Sequence, residues 1–162
     1  MSVEREVFLA AMRQVAATVT VVTTDGPAGR AGATVSAFTS LTADPPSVLV
    51  CLRSDSRIAR AVIENRAFCV NVLPEDAIEV ARAFAGSAPE APADRFCGLS
   101  VKDSPQGPIL ARATAFSCAL NDHMIHGSHA ICIGSVLELT NAGEKPLTYL
   151  SGSYHIVRPH QD

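Results

Sequence analysis

The chain has 162 residues with 13 basic and 16 acidic side chains, and its formal charge of −3 disfavours a nucleic-acid-binding surface. Hydrophobic residues make up 48% of the sequence, enough for the core of a single domain spanning residues 1–162. No apolar run approaches the roughly 20 residues of a membrane span, and residues 1–6 carry charges rather than an apolar leader. The composition therefore predicts a folded cytoplasmic domain that binds neither nucleic acid nor membrane.

The five cysteines are odd in number and widely spaced. They are Cys51, Cys69, Cys97, Cys118 and Cys132. Structural zinc sites use cysteine pairs roughly two to four residues apart, so we expect no such metal site here. Most of the cysteines lie in apolar runs typical of strands, and buried reduced thiols fit a reducing compartment. A Cys–His nucleophile is an alternative, but it needs a thiol of lowered pKa, which apolar surroundings disfavour.

The first third of the chain reads as one helix followed by strands. Apolar residues at helical spacing predict an amphipathic helix over residues 4–14, and a β-branched run predicts a strand over 18–24. A turn at 25–29 leads to a second strand over 31–38, and a third strand spans 47–52.

The rest of the chain adds two helices and several strands. The predicted elements are a helix capped by Ser56, a strand over 67–73, a helix opened by Glu75 and Asp76 and ended by Gly86, a long loop over 86–96, and strands over 108–120, 125–139, 148–150 and 154–157. Many strands at short spacing together with three helices predict a mostly β fold with flanking helices. We expect a small barrel rather than a doubly wound sheet.

Small and hydroxyl-bearing residues dominate the segment 33–46, which ends at Pro45 and Pro46. A strand that runs into two prolines ends there, because proline offers no ladder donor and biases the preceding residue toward an extended backbone. Small side chains let a ligand approach the backbone amides. The hydroxyls that could add donors are those of Thr34, Ser36, Thr39 and Ser40. The pattern predicts a pocket wall, and an ordinary hairpin with a polar edge is the alternative.

Residues 54–57, Ser-Asp-Ser-Arg, follow the third strand at the start of a predicted helix. Backbone amides at a helix start, hydroxyls and an arginine are groups that bind phosphate. The carboxylate of Asp55 would repel a phosphate if it pointed inward. The chain has neither G-x-G-x-x-G nor G-x-x-x-x-G-K, so it supports neither a Rossmann nor a P-loop site. The segment therefore predicts a phosphate site of another kind, such as a flavin or nicotinamide nucleotide needs.

Three histidines, His123, His126 and His129, are spaced three residues apart around Gly127. On one strand this spacing places alternate histidines on opposite faces, although a turn at Gly127 could bring two of them together. We expect no metal at these residues. His129 is of more interest because it begins an apolar strand, where a histidine is either structural or faces a cleft.

The order of several segments resembles the flavin reductase-like family over residues 15–157. These segments are TVVTT, GATVSAFTSLTADPPSVLVCL, FCVNVL, FAG, DRF, GSHAICIGSV and PLTYLSGSYH, and they occur in the family's order. The resemblance implies an FMN-binding split β-barrel, usually a homodimer, in which NADH or NADPH reduces FMN or FAD. Relatives of this kind are the reductase components of two-component flavin-dependent monooxygenases.

The same resemblance assigns site residues. Positions matching those that line the flavin are Thr34, Val35, Ser36, Ser40 and Leu41. Positions matching those near the ribityl phosphate are Cys51, Leu52, Ser54, Ser56, Arg57 and, from the long loop, Arg95. His129 matches a histidine near the nicotinamide, and Tyr154 matches a position near the ring. The family often has aspartate where this chain has Ser128.

We therefore predict an NAD(P)H:flavin oxidoreductase that reduces FMN or FAD by hydride transfer to N5 and releases reduced flavin to a separate monooxygenase. Hydride transfer needs no protein proton donor at N5, so His129 is expected to position the nicotinamide. The sequence has no evident cluster of basic residues that could bind the 2′-phosphate of NADPH, which favours NADH as the donor. The alternative is a non-enzymatic flavin-binding module, or a domain for another redox ligand on the same barrel.

Overall fold

A computed structural model describes residues 1–86 and 94–161 of the chain. Its helices are α1 (Arg5–Met12), α2 (Arg57–Asn65) and α3 (Ile78–Ala85). Its strands are β1 (Ala17–Thr18), β2 (Thr20–Thr24), β3 (Ala31–Val35), β4 (Phe38–Ala43), β5 (Pro46–Arg53), β6 (Ala67–Val72), β7 (Val101–Lys102), β8 (Ile109–Leu110), β9 (Thr114–His126), β10 (His129–Thr140), β11 (Leu147–Leu150) and β12 (Ser153–Ile156). The predicted loop over 86–96 lies largely outside the described residues, because 87–93 are not among them.

The main sheet has seven antiparallel strands in the order β3-β2-β6-β9-β10-β5-β4. The two ends of the sheet share one core, since Val35 of β3 packs in the same buried cluster as Val48 and Val50 of β5, and Phe38 of β4 packs against that cluster. The ring of Phe38, on β4, also lies 5.5 Å from that of Phe116 in the middle of the sheet. In the described part of the chain β3 and β4 do not pair with each other, so the sheet is not closed into a complete barrel. The expected mostly β fold with flanking helices is confirmed.

A small second sheet, β1-β11-β12, joins the main sheet at Val19. The Val19 amide donates to Leu147 O at 2.9 Å, and its carbonyl accepts from Leu73 N at 3.1 Å. This junction divides the run predicted as one strand over 18–24 into β1 and β2. Because Val19 bonds to β11 and to the residue after β6, it orients one sheet on the other.

Several predicted boundaries shift in the structure. The predicted strand over 31–38 ends at Val35, and the chain turns at Ser36 and Ala37 into β4, which ends at Ala43 before the two prolines. The predicted strand over 108–120 is β8 and a much longer β9. The hairpin strand begins at His129 rather than at residue 125, since β9 continues to His126. The short strand β7 was not predicted.

The three predicted helices are present, and they differ from one another in how much of their surface is buried. Ser56 caps α2 as expected, accepting a 3.2 Å hydrogen bond from Ala59 N, and the apolar face of α2 is buried in the main core. Helix α3 ends at Gly86 in a left-handed conformation with φ 71°. Helix α1 buries no residue, so its apolar stripe faces a cleft on one side and solvent on the other. Among the described residues, no helix is long and apolar enough to cross a membrane.

Candidate functional site

Strand β5 places the first part of the site, because its residues alternate between the core and the opposite face. Val48, Val50 and Leu52 are buried, whereas the side chains of Leu49 and Cys51 point the other way. Leu52 is only 2% exposed, so its side chain belongs to the core and only its backbone can meet a ligand.

The link between β3 and β4 lies alongside β5 at Cys51. Cys51 N donates to Ala37 O at 3.0 Å, and Phe38 N donates to Ser36 O at 3.0 Å. The turn therefore holds the Ser36 side chain, which is exposed, close to Cys51.

The two segments open into a cavity of about 720 Å³, which we call the apolar cleft. Helix α1 and the β11–β12 turn complete its walls. Its lining includes Leu9, Met12, Val15, Ser36, Phe38, Thr39, Leu49, Cys51 and Tyr149. A cavity of this size with apolar walls and a few polar groups suits a planar ring system.

A second cavity of about 530 Å³, which we call the arginine cavity, lies at the start of α2. Three arginines line it together with a helix cap and an aromatic ring: Arg30, Ser56, Arg57, Arg95 and Phe96. In the described part of the chain, two of the three arginines donate to backbone carbonyls rather than to carboxylates: Arg57 Nη2 donates to Arg30 O at 3.1 Å, and Arg95 Nη1 donates to Phe84 O at 2.8 Å. The cavity therefore offers cationic groups for a phosphate.

Arg95 is held by the end of α3 and by β3. Besides Phe84 O, its Nη1 donates to Gly32 O at 3.3 Å. The neighbouring Phe96 ring packs edge-on against Phe84 with centroids 5.0 Å apart, which anchors this part of the chain on α3. Asp94 also lines the cavity, but its carboxylate accepts a 3.0 Å bond from Phe96 N.

Arg30 was missed by the sequence analysis. It follows a predicted turn, and the local pattern gives no indication of its neighbours. Its guanidinium donates to Asp25 at 3.0 Å and to Asp103 at 2.8 Å and lies 5.7 Å from the centre of the Phe96 ring. The hydrogen bond to Asp25 is the largest of the effects that raise the pKa of Arg30. Two carboxylates thus offset its charge.

His129 lies at the end of the β9–β10 hairpin, next to the end of β5. Ser54 donates to Ser128 O from both its amide, at 3.0 Å, and its hydroxyl, at 3.1 Å. Ser128 Oγ lies 2.9 Å from His129 Nδ1. The hydroxyl of Ser128 therefore orients the exposed His129 ring.

The turn at Gly127 brings His126 directly opposite His129, while His123 pairs with Cys132 farther along the hairpin. In the described part of the chain, no group of three or more His, Cys, Asp or Glu residues is arranged to hold a metal ion.

Several predicted residues line neither cavity. Thr34 donates its hydroxyl to Ala81 O at 2.6 Å, so it ties β3 to α3. Val35 is buried in the core. Ser40 and Leu41 are exposed on β4, where the pairing with β5 shifts by one residue. The ring of Tyr154 packs 5.3 Å from Tyr149, a residue of the cleft wall.

The buried thiols are poor nucleophiles. Burial raises the pKa of Cys69 and of Cys132 to about 11 and that of Cys118 to about 12, so all three stay protonated near neutral pH. This disfavours a Cys–His nucleophile at these positions. All five cysteines lie in the described part of the chain, and each is a free thiol.

The fold and the pair of cavities agree with the family to which the sequence points. The flavin reductase like domain family matches residues 12–158, and this chain belongs to it. The chain is 40% identical over 159 residues to FMN reductase (NADH) RutF of Ancylobacter novellus, covering 96% of this chain and 87% of that protein.

Solved structures with the same fold match this chain at 24–34% sequence identity, and flavin reductases are among them. NADH:FAD oxidoreductase SgcE6 of Streptomyces globisporus, solved with NAD and FAD fragments, matches with a TM-score of 0.86 and 26% identity over 100% of this chain and 99% of its own. BorF, the flavin reductase component of a bacterial two-component tryptophan halogenase, matches with a TM-score of 0.84 and 27% identity over 97% and 100% of the two chains.

The exposure of the thiols predicts how the native protein reacts with an aromatic disulfide reagent at mildly alkaline pH. Cys97 is exposed and should react at once, and the half-buried Cys51 should follow more slowly. The other three should react only on unfolding, because they are buried and their pKa values are raised. Added FMN should protect Cys51 if the ring occupies the apolar cleft. Rapid reaction of four or five thiols in the native protein would contradict the predicted burial.

Proposed function

We propose that this protein is an NADH-dependent flavin reductase that reduces FMN or FAD and supplies the reduced flavin to a separate flavin-dependent monooxygenase. The observation that carries the proposal is a ring-sized apolar cleft and an arginine cavity in one chain of the flavin reductase family. The relatives named FMN reductase (NADH) support the choice of NADH. BorF, as the reductase component of a two-component system, supports the supply of reduced flavin to a partner.

The residues of the two cavities would bind different parts of the flavin nucleotide. Ser36 and Cys51 would hold the flavin ring at the wall of the apolar cleft, where the backbone of the β3–β4 link supplies polar groups. Ser56, Arg57 and Arg95 would hold the phosphate in the arginine cavity, since hydroxyls and guanidinium groups suit a phosphate. Further residues would also contact the flavin, through their backbones where their side chains are engaged elsewhere. These residues are Thr34, Val35, Ser40, Leu41, Leu52, Ser54 and Tyr154.

The protein's part in the reaction is orientation. The flavin supplies the redox chemistry, because it accepts hydride at N5 from the nicotinamide. His129, held by Ser128, would align the nicotinamide with the ring. No protein group needs to give a proton to N5. Five free thiols fit a reducing compartment, so we place the protein in the cytoplasm.

The decisive test is anaerobic mixing of the protein, FMN and NADH while flavin absorbance is followed. We expect the absorbance to bleach, with NADH more effective than NADPH. Binding of FMN without bleaching by either nucleotide would instead indicate a non-enzymatic flavin-binding module.

Arg57→Ala tests the phosphate contact. The loss of one charge-assisted hydrogen bond should weaken FMN binding about tenfold or more, measured by fluorescence titration. Riboflavin, which lacks the phosphate, should be affected much less. Arg60→Ala is the matched control, because Arg60 lies one turn along α2, is exposed and does not line the arginine cavity. Equal losses for FMN and riboflavin would remove Arg57 from the phosphate site.

His129→Ala tests the positioning of the nicotinamide. The side chain is exposed, so melting and FMN affinity should stay close to those of the wild type. Anaerobic stopped-flow reduction by saturating NADH should slow by about tenfold or more, because small misplacements of reacting groups are costly. Chelator should have no effect on either protein. A reduction rate equal to that of the wild type would exclude His129 from the site.

We also propose a homodimer. Helix α1 has only eight residues and buries none of them, and Val7 and Phe8 are 57% and 56% exposed. So short a helix is marginal alone, and its apolar surface favours cover by a second copy. Light scattering at micromolar concentration should give twice the chain mass of 17.0 kDa. A monomer mass would refute the dimer.

A further inference from the structure

Three neighbouring strands end together beside the apolar cleft. Arg53 of β5 lies opposite His129 of β10, and His129 lies opposite His126 of β9. Side chains directly opposite each other in antiparallel pairs share a face of the sheet, with Cβ atoms about 4.5–5.5 Å apart. Arg53, His129 and His126 therefore form a row across the sheet, which we call the His–Arg row. All three side chains are exposed.

The His–Arg row continues the wall of the apolar cleft. Cys51 lines the cleft and is two residues before Arg53 on the same strand, so both side chains leave the same face of β5. Two residues along a strand span only about 7 Å. A ligand that fills the cleft and extends along β5 therefore reaches the row.

The guanidinium of Arg53 is held in a form that suits a phosphate. Its Nε donates to one carboxylate oxygen of Asp55 at 3.1 Å, and its Nη2 donates to the other at 2.8 Å. This two-pronged geometry matches phosphate oxygens as well as carboxylate oxygens. Both side chains are 69% exposed, so replacing the carboxylate by a phosphate leaves no charge buried without a partner.

The arginine cavity is a separate phosphate site. Arg53 does not line that cavity, whereas Arg57 lines it and donates to Arg30 O. A flavin phosphate held by Arg57 and Arg95 would leave Arg53 available for a second anion. The reaction brings one, since a dinucleotide donor carries its diphosphate one ribose away from the nicotinamide.

We propose that Arg53 binds the diphosphate of the nicotinamide dinucleotide, exchanging its bond to Asp55 for the phosphate. This rests on the proposed reductase function and on a nicotinamide placed beside His129. Asp55 then competes with the donor for Arg53, so the two residues have opposite effects on donor affinity.

The test compares Arg53→Ala with Arg60→Ala in steady-state flavin reduction at saturating FMN. Arg53→Ala should raise KM for NADH roughly tenfold with little change in kcat, because it removes a charge-assisted contact distant from the reacting atoms. Arg60→Ala should match the wild type. Asp55→Asn should lower KM for NADH, and a KM that rises instead would overturn the exchange.

A donor without phosphates identifies the group that Arg53 binds. With 1-benzyl-1,4-dihydronicotinamide, Arg53→Ala should reduce flavin at the wild-type rate, and its FMN affinity and melting should also be unchanged. Equal slowing with both donors would overturn the proposal, as would weaker FMN binding, which would assign Arg53 to the flavin phosphate. If the wild-type protein catalysed flavin reduction with neither nicotinamide donor, the proposed function would be refuted. If the wild type is active and Arg53→Ala has the same KM for NADH, only this inference is refuted.

Discussion

The alternation of β5 is the constraint on which the rest of the structure depends. Strand β5 pairs with β4 on one side and with β10 on the other, so the register of β5 determines which of its side chains enter the core. Val48, Val50 and Leu52 fill that core, while Leu49, Cys51 and Arg53 follow the opposite face from the cleft to the strand end. A shift of one residue would exchange the two sets and expose the core residues to the cleft.

Charge is distributed unevenly among the arginines near the site. Arg30 and Arg53 each bind carboxylates, whereas Arg57 and Arg95 donate to backbone carbonyls. A backbone carbonyl carries no net charge, so the positive charges of Arg57 and Arg95 are not offset by the groups to which they donate. The bonds of Arg95 also join β3 to the end of α3, so the arginine that we propose as a phosphate ligand also holds α3 in place.

Helix α1 has apolar residues on two sides. One side closes the apolar cleft through Leu9 and Met12, and the other side is apolar but exposed. Its end is joined to the β11–β12 turn by two bonds from Ser151 to Arg13 O, at 2.9 and 3.2 Å. A helix attached at one end depends on further packing for its order, which a second copy of the chain would provide.

The features that depend only on residues close together in the sequence could be predicted from it. The β-branched runs, the Ser56 cap, the stop at Pro45 and Pro46 and the glycine that ends α3 depend on neighbours in sequence, and each appears in the structure. The segment 33–46 was also expected to form a pocket wall, and its residues Ser36 and Thr39 line the apolar cleft.

Tertiary structure decided what depends on contacts between distant segments. The split at Val19 requires Leu147, the position of Arg30 beside Arg57 and Phe96 requires three separate segments of the chain, and the alignment of Arg53 with His129 requires the register of β5 on β10. No local pattern contains these distances. The apolar stripe of α1 shows the same limit, because spacing predicts a helix with one apolar side but cannot say what covers it. Periodicity and caps are properties of a few consecutive residues, whereas register and burial are set only when the whole chain packs.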